Sequence, residues 1–268
     1  PQREQALVGF EFGDAARQRT VLFGGTNRTT LRSDTWEWDG SAWTLMDTVG
    51  TAGGRRAMAM SYHGATSSVL LFGGITSLGI VAGTWQWNGT GWAQVPGFEP
   101  SPRADSAMVY DSARQRSVLF GGWGGSLTYF GDTWEWNGSA WTQIGTPPGA
   151  APHSRAFHAM TYDGARGRVV LFGGLFNTTS TSDYYGDTWE WDGATWEQKF
   201  PETSPPSRAY HAMTFDSATG RVILFGGFEF NAGTLNDTWA WDGVTWAQLA
   251  TATAPSVRTA PAMVYDGA

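Results

Sequence analysis

The sequence predicts an all-β protein assembled from five repeated units, and three observations carry that expectation. The stretch Asp34 to Trp43 (DTWEWDGSAW) returns at Gly83 to Trp92, Asp132 to Trp141, Asp187 to Trp196 and Asp237 to Trp246. The element LFGG starts at Leu22, Leu71, Leu119, Leu171 and Leu224, spacings of 49, 48, 52 and 53 residues, a period that suits four short strands per unit. Apolar residues alternate or come in short runs, Gly is abundant at 36 of 268 residues, and no window keeps a helical period. The length would allow one or two domains, but a repeat running from end to end makes one.

Each copy of the first stretch reads W-x-W-D/N-G-x-x-W, and together the copies hold all but Trp123 of the 16 tryptophans. Trp36 and Trp38 lie two residues apart, so on a strand both point to one face, which is the buried one. Asp39-Gly40 supplies the left-handed backbone of a tight hairpin, and Trp43 opens the returning strand beside Trp38. In the fourth unit, Ala156 to Tyr162 reads as a first strand and Asp163-Gly164 as a turn. Arg168 to Phe172 is a fully apolar second strand ending at Gly173-Gly174, and Asp187 to Trp191 and Trp196 to Gln198 follow as third and fourth strands. One unit is a four-stranded antiparallel meander whose tryptophans serve its own packing; ligand platforms are the alternative reading.

An apolar strand ending in Gly-Gly, a variable loop, an aromatic pair and a later Trp resemble the kelch repeat, over nearly the whole chain. The departure is Trp where that family often has Tyr at the first position of the pair. The resemblance implies a β-propeller of four-stranded blades, with each first strand lining a central channel. The expected blades are 6–46 (plus 259–266), 55–95, 103–144, 155–199 and 208–249. Ala6 to Phe12 is a poor first-strand copy, whereas Thr259 to Asp266 (TAPAMVYD) matches Asp105 to Asp111 (DSAMVYD). Kelch-like propellers often close with a strand from one terminus, so the expectation is a five-bladed ring in which Thr259 to Asp266 completes the Leu22 blade. The alternatives are part of a six- or seven-bladed propeller and a terminal strand that pairs with a neighbouring chain.

Composition narrows the chemistry. The absence of Cys excludes disulfides, zinc knuckles and thiol nucleophiles. Net charge is −7, Lys199 is the single Lys, and no basic run exists, which argues against a nucleic-acid partner. No apolar run approaches a membrane span, so no membrane insertion is expected, and the chain, which opens PQREQ, reads as soluble and processed or excised. A Lys-poor, Trp-, Gly- and Thr-rich chain suggests an exported bacterial protein, extracellular or periplasmic. Of the N-x-S/T sites Asn27, Asn88, Asn137, Asn177 and Asn236, Asn88 and Asn137 read as turn residues.

Candidate site residues gather on one face. Arg55, Arg103, Arg155, Arg208 and Arg258 stand before the first strands and would ring one mouth of the channel, where planar guanidinium forks suit carboxylate or phosphate. Bonding within the neighbouring blade is the other reading of these arginines. The loops after Gly-Gly vary and carry Trp123, Tyr129 and Phe130, then Phe176, Tyr184 and Tyr185, then Phe228 and Phe230, which either bind a ligand or cover their own loops. His158 and His211 share one slot, where other units have Met58, Ser106 and Pro261; as a pair they make no metal site, and no cofactor is expected. Asp111, Asp163 and Asp216 read as turn residues.

A copper-radical oxidase of the galactose oxidase type requires a Cys and is excluded. By resemblance to the bacterial kelch type, a sialic-acid epimerase acting on an anionic sugar is an alternative, with His158 or His211 as acid/base. The leading expectation is a non-enzymatic module binding a glycan or protein through the loop face. A third reading is a structural subunit that self-associates through its terminal strand.

Overall fold

The computed structural model describes residues 11–14, 17–27, 29–47, 51–147 and 149–265. It is a five-bladed β-propeller, five four-stranded antiparallel sheets set in a ring. Blade one comprises Glu11–Asp14, Arg19–Phe23, Thr35–Trp38 and Trp43–Asp47; blade two Ala59–His63, Ser68–Phe72, Thr84–Trp87 and Trp92–Val95. Blade three comprises Ala107–Asp111, Arg116–Gly125, Thr128–Trp136 and Trp141–Ile144; blade four Ala159–Asp163, Arg168–Phe172, Thr188–Trp191 and Trp196–Lys199. Blade five comprises Ala212–Asp216, Arg221–Glu229, Gly233–Trp241 and Trp246–Gln248. First strands of successive blades lie side by side. Among the described residues no α-helix forms, so none is long and apolar enough to cross a membrane.

The continuous apolar run of each second strand follows from burial on both faces. In blade two, Val69 and Leu71 point into the seam with blade one, while Leu70 and Phe72 point into the seam with blade three. Alternation is therefore present in space although absent from the composition of the strand. Gly-Gly ends the strand in blades one, two and four and breaks its register in blades three and five, because the next blade's entry segment crosses there. At Gly173, φ is +66° and a Cβ would sit 2.5 Å from the Arg208 carbonyl oxygen, so only glycine fits. In the hairpin after each Trp pair, the Asp or Asn side-chain oxygen caps two amides; Asp39 Oδ1 accepts from Ser41 and Ala42 N–H, both at 2.8 Å.

The seams between blades repeat one chemistry. In blades two to five the Trp that opens the fourth strand donates its indole N–H to the Thr at the head of the previous blade's third strand. Trp92 reaches Thr35, Trp141 Thr84, Trp196 Thr133 and Trp246 Thr188, all at 2.8–2.9 Å. Its partner Trp reaches a buried Glu two residues further on: Trp87 to Glu37 at 2.8 Å, Trp191 to Glu135 at 3.2 Å and Trp241 to Glu190 at 3.0 Å. Blade two has Gln86 in the Glu slot, and there the Trp136 N–H makes no bond. Four apolar clusters fill the four seams from blade one to blade five.

The first blade is not completed by the C-terminal strand. Glu11–Asp14 occupies that slot, pairing from Glu11 with Leu22 to Asp14 with Arg19, and no strand forms between Thr259 and Tyr265. Asp266 and most of Ala6–Phe12 lie outside the described residues. A short local hairpin costs far less closure entropy than a strand returning from the other terminus. The tail docks on blade five instead, with Gly227 N–H donating to Arg258 O at 3.1 Å and Ala260 N–H to Tyr210 O at 2.7 Å.

Trp196→Ala should lower stability by about 3–5 kcal/mol, and Thr133→Val, which strands the Trp196 N–H, by about 1–3 kcal/mol; urea unfolding measures both.

Candidate functional site

The loops after Gly-Gly and the segments entering each first strand open on one face, as antiparallel connectivity requires. The sequence places arginines, aromatics and histidines there, and the structure separates them.

The arginines do not form an open ring. Arg103, Arg155 and Arg208 are fully buried, and each grips the Asp at the head of its own blade's third strand with two bonds: Arg103 to Asp132, Arg155 to Asp187 and Arg208 to Asp237, at 2.6–2.9 Å. Each also donates to carbonyls of its own blade, as Arg155 does to His153 O and Gly173 O. The same Asp accepts the indole N–H of the first Trp of the pair, as Asp187 does from Trp189 at 2.7 Å. Burial pushes the Asp187 carboxyl up, but the bonds and charge of Arg155 and the Trp189 N–H outweigh it and leave it below 3.8. In blade two, Gly83 takes the Asp slot; Arg55 is held by the carbonyls of Ala52, Gly53 and Gly73, and burial pushes it down to about 10. Arg258 alone of the five is exposed. The expected anion site is thus a set of internal clamps, because a guanidinium under Gly-Gly is cut off from solvent and takes its partners from within its own blade, an Asp in blades three to five and carbonyls in blade two.

His158 and His211 are also internal. Each is buried, edge-on to Phe120 or Phe172 with ring centroids 5.6 Å apart, and burial holds each imidazole down to about 3. They are neutral, and neither has the solvent access that acid/base exchange with a substrate needs. Among the described residues no three His, Asp or Glu side chains group to hold a metal ion.

The loop aromatics divide in two. Phe130 and Tyr185 belong to the scaffold, lying beneath Arg103 and Arg155 at 4.0 and 4.1 Å. Trp123 is half-buried and donates to Ser126 O within its own hairpin. The others pack from blade to blade: Tyr129 against Phe176 at 5.1 Å, and Tyr184 between Phe228 and Phe230 at 6.0 and 6.1 Å. Phe230 remains 66% exposed at a hairpin tip. Leu78 (94%) and Leu127 (46%) are the exposed tips of the equivalent hairpins in blades two and three.

The innermost ring of this face escaped the sequence reading. Two residues after each junction Arg, the backbone turns left-handed at Ala57, Asp105, Phe157, Tyr210 and Ala260, with φ from +49° to +60°. Each N–H donates to the carbonyl of the previous member: Asp105 to Ala57, Phe157 to Asp105, Tyr210 to Phe157 and Ala260 to Tyr210, at 2.7–3.1 Å. This collar of hydrogen bonds offsets a local cost of about 1–2 kcal/mol per non-glycine residue. Its backbone is constant and its side chains vary, which is the arrangement of a binding surface on a scaffold. Phe157 and Tyr210 pack with their rings tilted, centroids 4.4 Å apart. Burial lifts the Asp105 carboxyl to about 7 against the nearby charge of Arg56, and Asp105 in turn adds to the raised hydroxyl values of Tyr129 and Tyr210. One carboxylate and several tyrosines therefore share the mouth. The sequence signal was the variable position between an invariant Arg and a conserved-looking AM motif, repeated five times.

Arg155→Ala should cost about 3–5 kcal/mol by leaving the half-buried Asp187 without its cation, while exposed Arg258→Ala should stay within about 0.5 kcal/mol. The pH dependence has two signs. Asp187, depressed in the fold, contributes stability above its ordinary 3.8 that is lost as pH falls through the lowered value. Asp105, raised to about 7, favours the fold below 3.8, and that contribution is lost as pH rises through 7. Asp105→Asn should therefore match the parent near pH 4 and gain on it up to pH 8, read as melting temperature against pH.

No protein-family model matches the chain, and no curated protein matches it, so what this face does is read from its own residues.

Proposed function

We propose that this kelch-like propeller is a non-enzymatic interaction module that binds a protein partner through the face of the hairpin tips and the collar. The supporting observation is the ring of apolar tips, Leu78, Leu127 and Phe230, exposed around a mouth that holds Asp105, Tyr129, Tyr184 and Tyr210. Single exposed leucines are ordinary; three on equivalent hairpins around one axis are a rim. Covering an exposed Leu or Phe contributes about 1.5–3 kcal/mol, so a few tips with a polar centre suit the usual division of an interface into anchors and a surrounding set of weaker contacts. The burial of the arginines changes the ligand expected at the centre: the mouth carries a carboxylate and hydroxyls, which favour a basic or hydroxyl-bearing group over an anion. The epimerase reading loses its two histidines to the interior.

Selection from a displayed peptide library on the intact protein tests this. The expected result is peptides combining apolar residues with Lys or Arg, with affinity falling at least about tenfold in the combined Leu78→Asp, Leu127→Asp, Phe230→Asp variant, roughly 1.4 kcal/mol, and melting temperature unchanged. An unaltered affinity in that variant would overturn the proposal. Sugars bound on a glycan array, indifferent to the rim variant but lost in Tyr184→Ala, would replace the protein partner with a glycan.

A further inference from the structure

Four seams of this propeller are sealed by the same contacts, and the seam between blade five and blade one is not. In blades two to five the Trp that opens the fourth strand is 1–6% exposed, pressed against the preceding blade. Its counterpart in blade one, Trp43, is 41% exposed, with Leu45 at 42% and Met46 at 37% beside it. Trp36, Trp38 and Leu22 on the same face are only partly buried. The facing side of blade five is correspondingly open. Ile223 and Thr238 are half-buried where Val118, Val170, Thr133 and Thr188 are fully covered. No apolar cluster joins these two faces among the described residues.

The chain leaving blade five already makes the approach that precedes every other blade. Gly227 N–H donates to Arg258 O, Arg258 N–H to Leu235 O and Ala260 N–H to Tyr210 O. The same three bonds at the entry to blade five run from Gly174 to Arg208 O, Arg208 to Tyr185 O and Tyr210 to Phe157 O. Ala260 takes the left-handed φ of the collar, +49°. What differs is the guanidinium. Arg208 is clamped by Asp237 of the blade it introduces, whereas the Arg258 guanidinium is exposed and, among the described residues, donates to Ser256 alone. Arg258 thus offers the cation of a clamp whose Asp belongs to the blade it would introduce.

We propose that the seam between blades five and one is the docking site for one further blade of the same repeat, carried on the same polypeptide with Thr259–Tyr265 as its first strand. The interface is continuous with those already formed. Its Trp pair would seat on Ile223, Phe225 and Thr238 of blade five. Its third-strand Thr and Glu would receive the indole N–H groups of Trp43 and Trp38. Its Asp would close on Arg258. A second copy of the present chain fits the seam less well, because the four blades behind its own blade one would have to pass through the position that blade one already holds.

The test supplies the blade. Asp266-Gly267-Ala268 repeats Asp163-Gly164-Ala165, so a copy of residues 166–199 joined after Ala268 continues the repeat in register. The expected result is a melting temperature raised by about 5 °C or more, with the acrylamide-accessible emission of Trp43, assigned by difference against Trp43→Phe, lost. The same extension carrying Trp191→Ser and Trp196→Ser in the copy should give neither change; an equal rise from it would overturn the proposal, as would an intact extension that leaves both readings unmoved. A measurement on the unextended protein guards against an extension that does not fold. Trp43→Ser should lose less than half the melting temperature that Trp92→Ser loses; equal losses would mean that the seam is already sealed, and the proposal would fall.

Discussion

The bond on which this fold depends is the indole N–H of one blade donated to the threonine or glutamate of the blade before it. A buried indole contributes a large apolar area but carries one donor that must be satisfied. Here the satisfied donor also fixes how far and at what angle the next blade sits. Thr35, Thr84, Thr133 and Thr188 are buried for that purpose, and each accepts from a tryptophan more than fifty residues later. Each blade is therefore stabilised less by its own hairpins than by its neighbours, as in other stacked-repeat architectures.

A second layer sits above the seams and translates them into a surface. The Arg–Asp clamp ties the segment entering a blade to that blade's third strand, and the same Asp holds the first Trp of the pair. Burying an ion pair is weakly favourable at best, and its worth lies in geometry. The clamps hold the entry segments in place, and the second residue after each junction Arg is then committed to the left-handed collar. Function and scaffold meet at that point, since the same backbone bond recurs from the entry of blade two to the segment leaving blade five while the collar's side chains are Ala, Asp, Phe, Tyr and Ala.

The charge logic of the face is a consequence of this layering. Five arginines along the sequence suggest attraction for anions, yet four of them are spent inside the blades. What reaches the mouth is Asp105 with three tyrosine hydroxyls, in a protein of net charge −7. Hairpins of unequal length then surround it, continuous with the second and third strands in blades three and five and separate two-stranded ribbons in blades two and four. Variation in a loop of constant anchorage changes what is recognised without touching what holds the ring together.

The sequence by itself determined the repeat, the four strands of each unit, the Asx hairpins and the buried tryptophan face, because these follow from local spacing: two residues along a strand, and Asp-Gly at a turn. It also identified the face on which the entry segments and variable loops meet. Only the tertiary structure decided that Arg103, Arg155 and Arg208 are clamps, that His158 and His211 are neutral and enclosed, and that Glu11–Asp14 rather than the C-terminal strand completes the first blade. The reason is common to all three. Whether a polar side chain faces a ligand or a partner carboxylate, and which of two similar strands fills a slot, depends on what a neighbouring blade or a nearer segment brings to the same point. Residue type and spacing carry no record of that distance.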